Sequence, residues 1–204
     1  IVGIFCCTSQ DDRVSFESQW KDMNNRIWTG SAWWANRLQD WRIHEGQLEC
    51  IHQGQNRNVH LLTHQLQHNS RLRMGVTVSR PADGFNGWVG LRFASYGNID
   101  EYRHNTINST AHLNARLKSD GTILLGEDSV SIDWQDQLRL ILELRPEKDK
   151  QAARFEVQSP DGDVLGRVKA KYDSAKIHGN LALVCHSYEN NGQPSYATGA
   201  HLEN

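Results

Sequence analysis

The chain has 204 residues, 38% of them hydrophobic, with 22 basic and 24 acidic side chains and a formal charge of −2. That length supports one sizeable core and is short for two ordinary domains. The near-neutral balance excludes a global field favouring nucleic acid or an anionic membrane. Seven Trp against five Phe is a high share, and Trp serves both as core filler and as a flat platform for a ligand's apolar face.

Residues 1–10, IVGIFCCTSQ, are apolar up to a Cys pair and then turn polar. Two readings fit them. In the first they are the remnant of a secretory signal, with Cys6 or Cys7 as the lipidated residue of a lipoprotein, although Phe5 departs from the small residue usual there. The protein is then exported to the periplasm, cell surface or exterior. In the second they form a buried N-terminal strand. The stretch is too short to span a bilayer. Residues 11–204 make a single domain in which Cys50 and Cys185 sit in apolar runs, either paired or as two small buried residues.

From Asp12 to Gly30 the periodicity decides nothing. Ala32-Trp33-Trp34-Ala35 carries adjacent tryptophans that must face opposite ways in a strand, so one of Trp33 and Trp34 is a candidate platform. Trp41 and Ile43, then Leu48, Cys50 and His52, alternate with polar residues around the turn at Gly46. Further strands are predicted over 58–66, 72–78, 87–93, 111–118, 122–125, 138–145, 155–158, 164–168 and 179–186. Gly87 and Gly90 point to close packing or a bulge, and 126–128 and 147–149 read as solvated turns. The last strand is an almost continuous apolar run, as expected of one covered on both faces.

Ten to twelve strands separated by D-G, N-G and P-D-G turns, with no long amphipathic helix, predict an all-β antiparallel sandwich. A chain stopping at Asn204 is expected to lack a strand that completes a sheet.

The succession from Asp120-Gly121 through LRLILELR, D-G-D-V-L and GNLALVCH resembles concanavalin A-like jelly rolls, such as laminin G-like and related sugar-binding domains. A narrower likeness lies in WWANRLQDWRIHEGQLEC, RNVHLLTHQL and GLRFASYGNIDEYRHNTINS, about a quarter of the chain. These segments are similar to the N-terminal module preceding the metallophosphoesterase domain of exported alkaline phosphatase D-like proteins. The resemblance implies a phosphodiesterase or phosphomonoesterase whose catalytic half follows this chain.

The residues themselves carry no such catalysis. A dinuclear phosphoesterase presents its ligands as D-x-H, G-D and N-H-E/D motifs; Gly162-Asp163 occurs, but neither of the others does. No metal ligand and no cofactor is therefore assigned, and structural calcium is left open. His60, His64 and His68 are spaced by four and would share one strand face with Leu62 and Leu66, a pattern that suits hydrogen-bonded or surface histidines better than a metal site. Asp100 and Glu101 are adjacent and would point apart on a strand, unlike the paired carboxylates of a glycosidase. No nucleophile elbow, P-loop or dinucleotide fingerprint occurs.

A binding surface remains. Asn98, Asp100, Tyr102, Arg103 and His104 bring a ring, planar polar groups and charges into one short segment, a mixture suited to hydroxyl-rich ligands. Arg57, with Arg37 and Asn58, is expected to add to it if the loops converge. The leading expectation is a non-catalytic accessory module of a phosphoesterase that binds a glycan or phosphorylated glycan or docks on the catalytic domain. The alternatives are a free-standing jelly-roll carbohydrate-active enzyme, a glycoside hydrolase or lyase, and a purely structural surface domain.

Overall fold

The computed structural model describes residues 3–7, 13–52, 54–81, 84–96, 111–189 and 201–203, with backbone alone at 3–7, 13, 36 and 201–203. Two antiparallel sheets face each other across one core. The strands are β1 (Gly3–Cys7), β2 (Arg13–Glu17), β3 (Trp33–Asn36), β4 (Trp41–His44), β5 (Gln47–Cys50), β6 (Arg57–Leu66), β7 (Arg71–Ser79) and β8 (Gly87–Tyr96). They continue with β9 (Ala111–Lys118), β10 (Thr122–Leu125), β11 (Asp128–Ser131), β12 (Gln137–Glu147), β13 (Lys150–Gln158), β14 (Val164–Asp173), β15 (Gly179–Ser187) and β16 (His201–Glu203). The all-β sandwich predicted from alternation is the fold.

The seven-stranded sheet runs β11-β10-β9-β8-β15-β6-β3. The nine-stranded sheet runs β14-β13-β12-β7-β16-β5-β4, with β1 also beside β7 and β2 beside β1. Residues 3–7 pair as a strand with β2 and β7. Alternation decides what each strand buries. Val89, Leu91 and Phe93 of β8 and Leu138, Leu140, Leu142 and Leu144 of β12 enter the core, which also buries Trp20, Trp41 and Phe155 completely.

Three departures have local causes. Asp128 to Ser131 forms an edge strand although all four residues are exposed, because it pairs with Thr122 to Leu125 along its length. Pro146 lies inside β12, opposite Gln151 in the hairpin closed by Lys148, whose φ is 56°. A register irregularity where β15 meets β6 resets the parity of β6, so Leu61 and Leu66, five positions apart, both enter the core. His60, Leu62, His64 and Leu66 consequently do not share a face. His60 packs towards Trp34, while His64 packs on Phe16. Among the described residues no group of three His, Cys, Asp or Glu could hold a metal ion.

The stretch from Arg37 to Arg57 is fastened by one buried carboxylate. Asp40 is fully buried and forms ion pairs with Arg57 Nε at 2.8 Å and Arg37 Nε at 3.4 Å, while His52 Nδ1 lies 2.9 Å from its other oxygen. Cys50 and Cys185 are both buried free thiols. They come from opposite sheets; Cys50 Sγ donates to the His52 carbonyl oxygen at 3.5 Å, and the neighbouring Cys185 thiol together with burial raises the Cys50 pKa well above the ordinary thiol value.

Candidate functional site

The predicted site residues separate in space. Trp33 is buried at 5% exposure in the core, edge-on to Phe16 and beside Trp20. Trp34, one residue on, is 38% exposed on the outer face of the seven-stranded sheet, so the alternation of the pair is as expected and Trp34 is the platform candidate. Arg57 forms an ion pair with Asp40, and its side chain is 11% exposed. Asn98, Asp100, Tyr102, Arg103 and His104 lie outside the described residues, in the connector between β8 and β9.

The outer face of the seven-stranded sheet carries a connected set of planar polar and aromatic side chains. Because Val89, Leu91 and Phe93 face inward, Trp88, Gly90 and Arg92 face outward on β8. Their register partners on β9 are Lys118, Arg116 and Asn114, and on β15 they are His186, Val184 and Ala182. Gly90, Val184 and Ala182, all three buried, lie between the larger side chains. Gly90 is required there, since a Cβ would stand 2.0 Å from the Ala115 carbonyl oxygen.

Trp88 stacks on His186 with centroids 5.2 Å apart and rings 14° from parallel, and the Arg116 guanidinium lies 5.9 Å from the Trp88 ring centroid. His186 Nδ1 accepts from the Asn56 amide N–H at 3.1 Å, which fixes Nδ1 as the unprotonated nitrogen. Burial, with Arg92 and Arg116 nearby, pushes the His186 pKa down to about 4. Arg92 is fully buried; its Nε donates to Asn114 Oδ1 at 2.9 Å and its Nη2 to Asn56 Oδ1 at 3.0 Å. No carboxylate faces it among the described residues, and burial lowers its pKa to about 10. Arg92 Nη1 and Arg116 Nε are buried donors without a hydrogen-bond acceptor among the described residues.

The network continues across the sheet. Asn58 Nδ2 donates to the Asn56 carbonyl, Asn58 Oδ1 lies 2.8 Å from His60 Nε2, and the His60 ring meets Trp34 at 6.3 Å. At the other end Tyr188, 49% exposed, sits edge-on to His186 at 5.3 Å. Amides and guanidinium groups thus occupy the centre, with an exposed ring at each end. Sequence reading missed Trp88, Arg92, Asn114, Arg116 and His186. Their signal is the polar phase of two alternating segments, GWVGLRF and AHLNARLK, which become informative once β8 and β9 are known to be neighbours.

No protein-family model matches the sequence, and no curated protein matches it. Solved structures do match in fold. A basic winged bean lectin with Tn-antigen is 12% identical over 88% of this chain and 93% of that one, with a TM-score of 0.58. Lectin II from Ulex europaeus is 10% identical, covering 83% of this chain and 88% of that one, at a TM-score of 0.54. Arcelin-5, a lectin-like defense protein from Phaseolus vulgaris, is 9% identical, covering 88% and 93%, at 0.56. The fold is the concanavalin A-like sandwich. At these identities the likeness establishes architecture, and the functional reading rests on this chain's own residues.

Proposed function

We propose that this domain is a glycan-binding module whose site is the outer face of the seven-stranded sheet, between Trp34 and Tyr188. The observation that carries the reading is the pair of buried guanidinium donors, Arg92 Nη1 and Arg116 Nε, without acceptors among the described residues, in a face built from amides and rings. A buried donor without a partner is costly, and a ligand hydroxyl or carboxylate oxygen would supply the acceptor. Planar amides and guanidinium groups make paired hydrogen bonds to neighbouring hydroxyls, while rings cover the apolar face of a sugar. Support also comes from solved relatives in fold, one of which carries Tn-antigen and another galactose. The connector holding Asn98, Asp100, Tyr102, Arg103 and His104 joins β8 to β9, the strands that carry Arg92 and Asn114.

The narrower likeness adds a setting: an exported protein, anchored or secreted, in which this module precedes a phosphoesterase domain and presents it with a glycan or phosphorylated glycan. No helix among the described residues is long and apolar enough to cross a membrane. Glycan-array binding by the isolated chain tests the module itself. Wild-type protein is expected to retain a defined set of glycans, with binding lost in Trp34→Ala and Tyr102→Ala. An array on which wild-type protein binds nothing, or binding unchanged in both variants, overturns the assignment.

A further inference from the structure

The opposite side of the sandwich carries an unexplained excess of positive charge. On β12, β13 and β14 the inward residues are Leu140, Leu142 and Leu144, Ala153, Phe155 and Val157, and Val168, so the alternate residues face out. Together with β7, these strands present Arg71, Arg73, Arg139, Arg145, Lys150, Arg154, Arg167, Lys169 and Lys171. Against these nine cations stand Glu143, Glu147, Glu156 and Asp173, so one face of a chain with net charge −2 carries five positive charges in excess.

Part of this is a structural ladder. Glu143 is held by Arg73, by Arg154 at 2.6 Å and by Arg145 at 3.3 Å; burial raises its pKa, but Arg154 and Arg73 outweigh that and lower it. Glu156 takes Arg167 at 2.5 Å, and Glu147 takes Lys171 at 2.7 Å. Arg154 has Glu143 opposite it on β12. On its other side, however, Lys169 of β14 stands directly across, a like charge in a position where such pairs are destabilising. Lysines on an edge strand discourage pairing with another sheet, which suits β14 but not Arg139 or Arg145 on β12, two strands inside the edge.

The excess surrounds a depression. Ala152, flanked in register by Arg145 and Lys171, leaves a groove of about 560 Å³ also lined by Glu143, Glu147, Arg154 and Lys169. Its volume is that of a small-ligand site. Its cations recur at roughly 7 Å along a strand and 10 Å across two strand spacings, a lattice suited to an extended ligand with regularly placed anions. The outward residues of these strands include no aromatic ring, so a single-stranded nucleic acid finds no stacking platform. Glu147 is half exposed and can accept hydrogen bonds from hydroxyls.

We propose that this groove is a second binding site, for an acidic polysaccharide carrying carboxylate or sulfate groups. It does not depend on the glycan site of the other sheet. Titrating the full chain with oligomers of polygalacturonate, dextran sulfate and neutral dextran, and with a single-stranded oligodeoxynucleotide, tests it. One or both acidic sugars are expected to bind, the stronger identifying the anion, with affinity falling steeply between low and physiological salt. Neutral dextran is expected not to bind. Lys169→Glu is expected to weaken acidic-sugar binding about tenfold or more. The same change places a carboxylate opposite Arg154, so melting temperature is expected to hold or rise. Trp34→Ala is expected to leave this binding unchanged. Wild-type affinity in Lys169→Glu, equal binding of neutral dextran, or an oligonucleotide that binds as tightly as the acidic sugars overturns the proposal.

Discussion

Asp40 offers the sharpest test of how the site's framework is held. Asp40→Asn keeps the volume and removes the charge facing Arg57, Arg37 and His52. Asp40 is fully buried and the Arg57 side chain is 11% exposed, so neither is rehydrated when the pair is broken. Removing one partner from a buried ion pair costs about 3–5 kcal/mol. The Arg37 side chain, 52% exposed, can turn to water, and Asn can still bond His52, which puts the expectation at the low end, about 3 kcal/mol. For a domain of this size 1 kcal/mol moves Tm by about 2–4 °C, so a loss of about 6–12 °C is expected by calorimetry, with urea unfolding giving the free energy. Asp40→Leu combined with Arg57→Met strands no buried charge and is expected to recover most of the loss. A single-variant cost under about 1 kcal/mol, or a double variant as unstable as the two single changes summed, refutes this account of the junction.

Three further outcomes follow from the same geometry. His186, lowered to about 4 in the fold from an ordinary 6.5, favours its neutral form when folded, so its contribution is complete above pH 6.5 and is lost as pH falls towards 4. An NMR titration should place its midpoint well below that of the free imidazole, and His186→Gln should flatten the acid limb of the stability profile; a midpoint near 6.5 sinks the assignment. Cys50 and Cys185, which interact across the sheets but are held as buried thiols in the fold, should join when the chain is refolded under oxidising conditions. The closed loop exceeds a hundred residues, so a gain of about 4–5 kcal/mol is expected on the chain-entropy account; intact mass that shows no loss of two hydrogens counts against it. Gly90→Ala drives a Cβ to 2.0 Å from the Ala115 carbonyl oxygen and should open the β8–β9 ladder, costing at least about 1–3 kcal/mol; a wild-type melting curve contradicts that close approach.

Most of the sandwich was legible in the sequence, because its central strands alternate cleanly. LRLILELR declares which of its faces is inward, and GNLALVCH declares that both are covered. The exceptions share a physical cause, in that their conformation is set by a partner and not by their own pattern. Asp128 to Ser131 is polar and exposed, and only pairing with β10 makes it a strand. His60 and His64 part company because the register shift at the β15 contact offsets β6 by an odd number of residues, which no periodicity reveals. The site was harder to read for a related reason. The pairing of Arg57 with Asp40 was hidden because Asp40 comes from a 3-10 turn seventeen positions earlier in the chain. Trp88 and Arg92 were legible only as part of the strand over 87–93, since their role depends on Asn114, Arg116 and His186 arriving from other strands. The adjacent tryptophans were the exception, where simple alternation separated the core residue from the exposed one.

Chemical-shift mapping with a glycan selected from the array tests the central claim most directly. With the isotope-labelled chain, the largest perturbations are expected at the Trp34 and Trp88 indole N–H groups, the Asn56 and Asn114 side-chain amides and the Arg92 Nε–H, all on the outer face of the seven-stranded sheet. Perturbations confined to other surfaces of the sandwich, with these five groups unmoved at saturation, would contradict it.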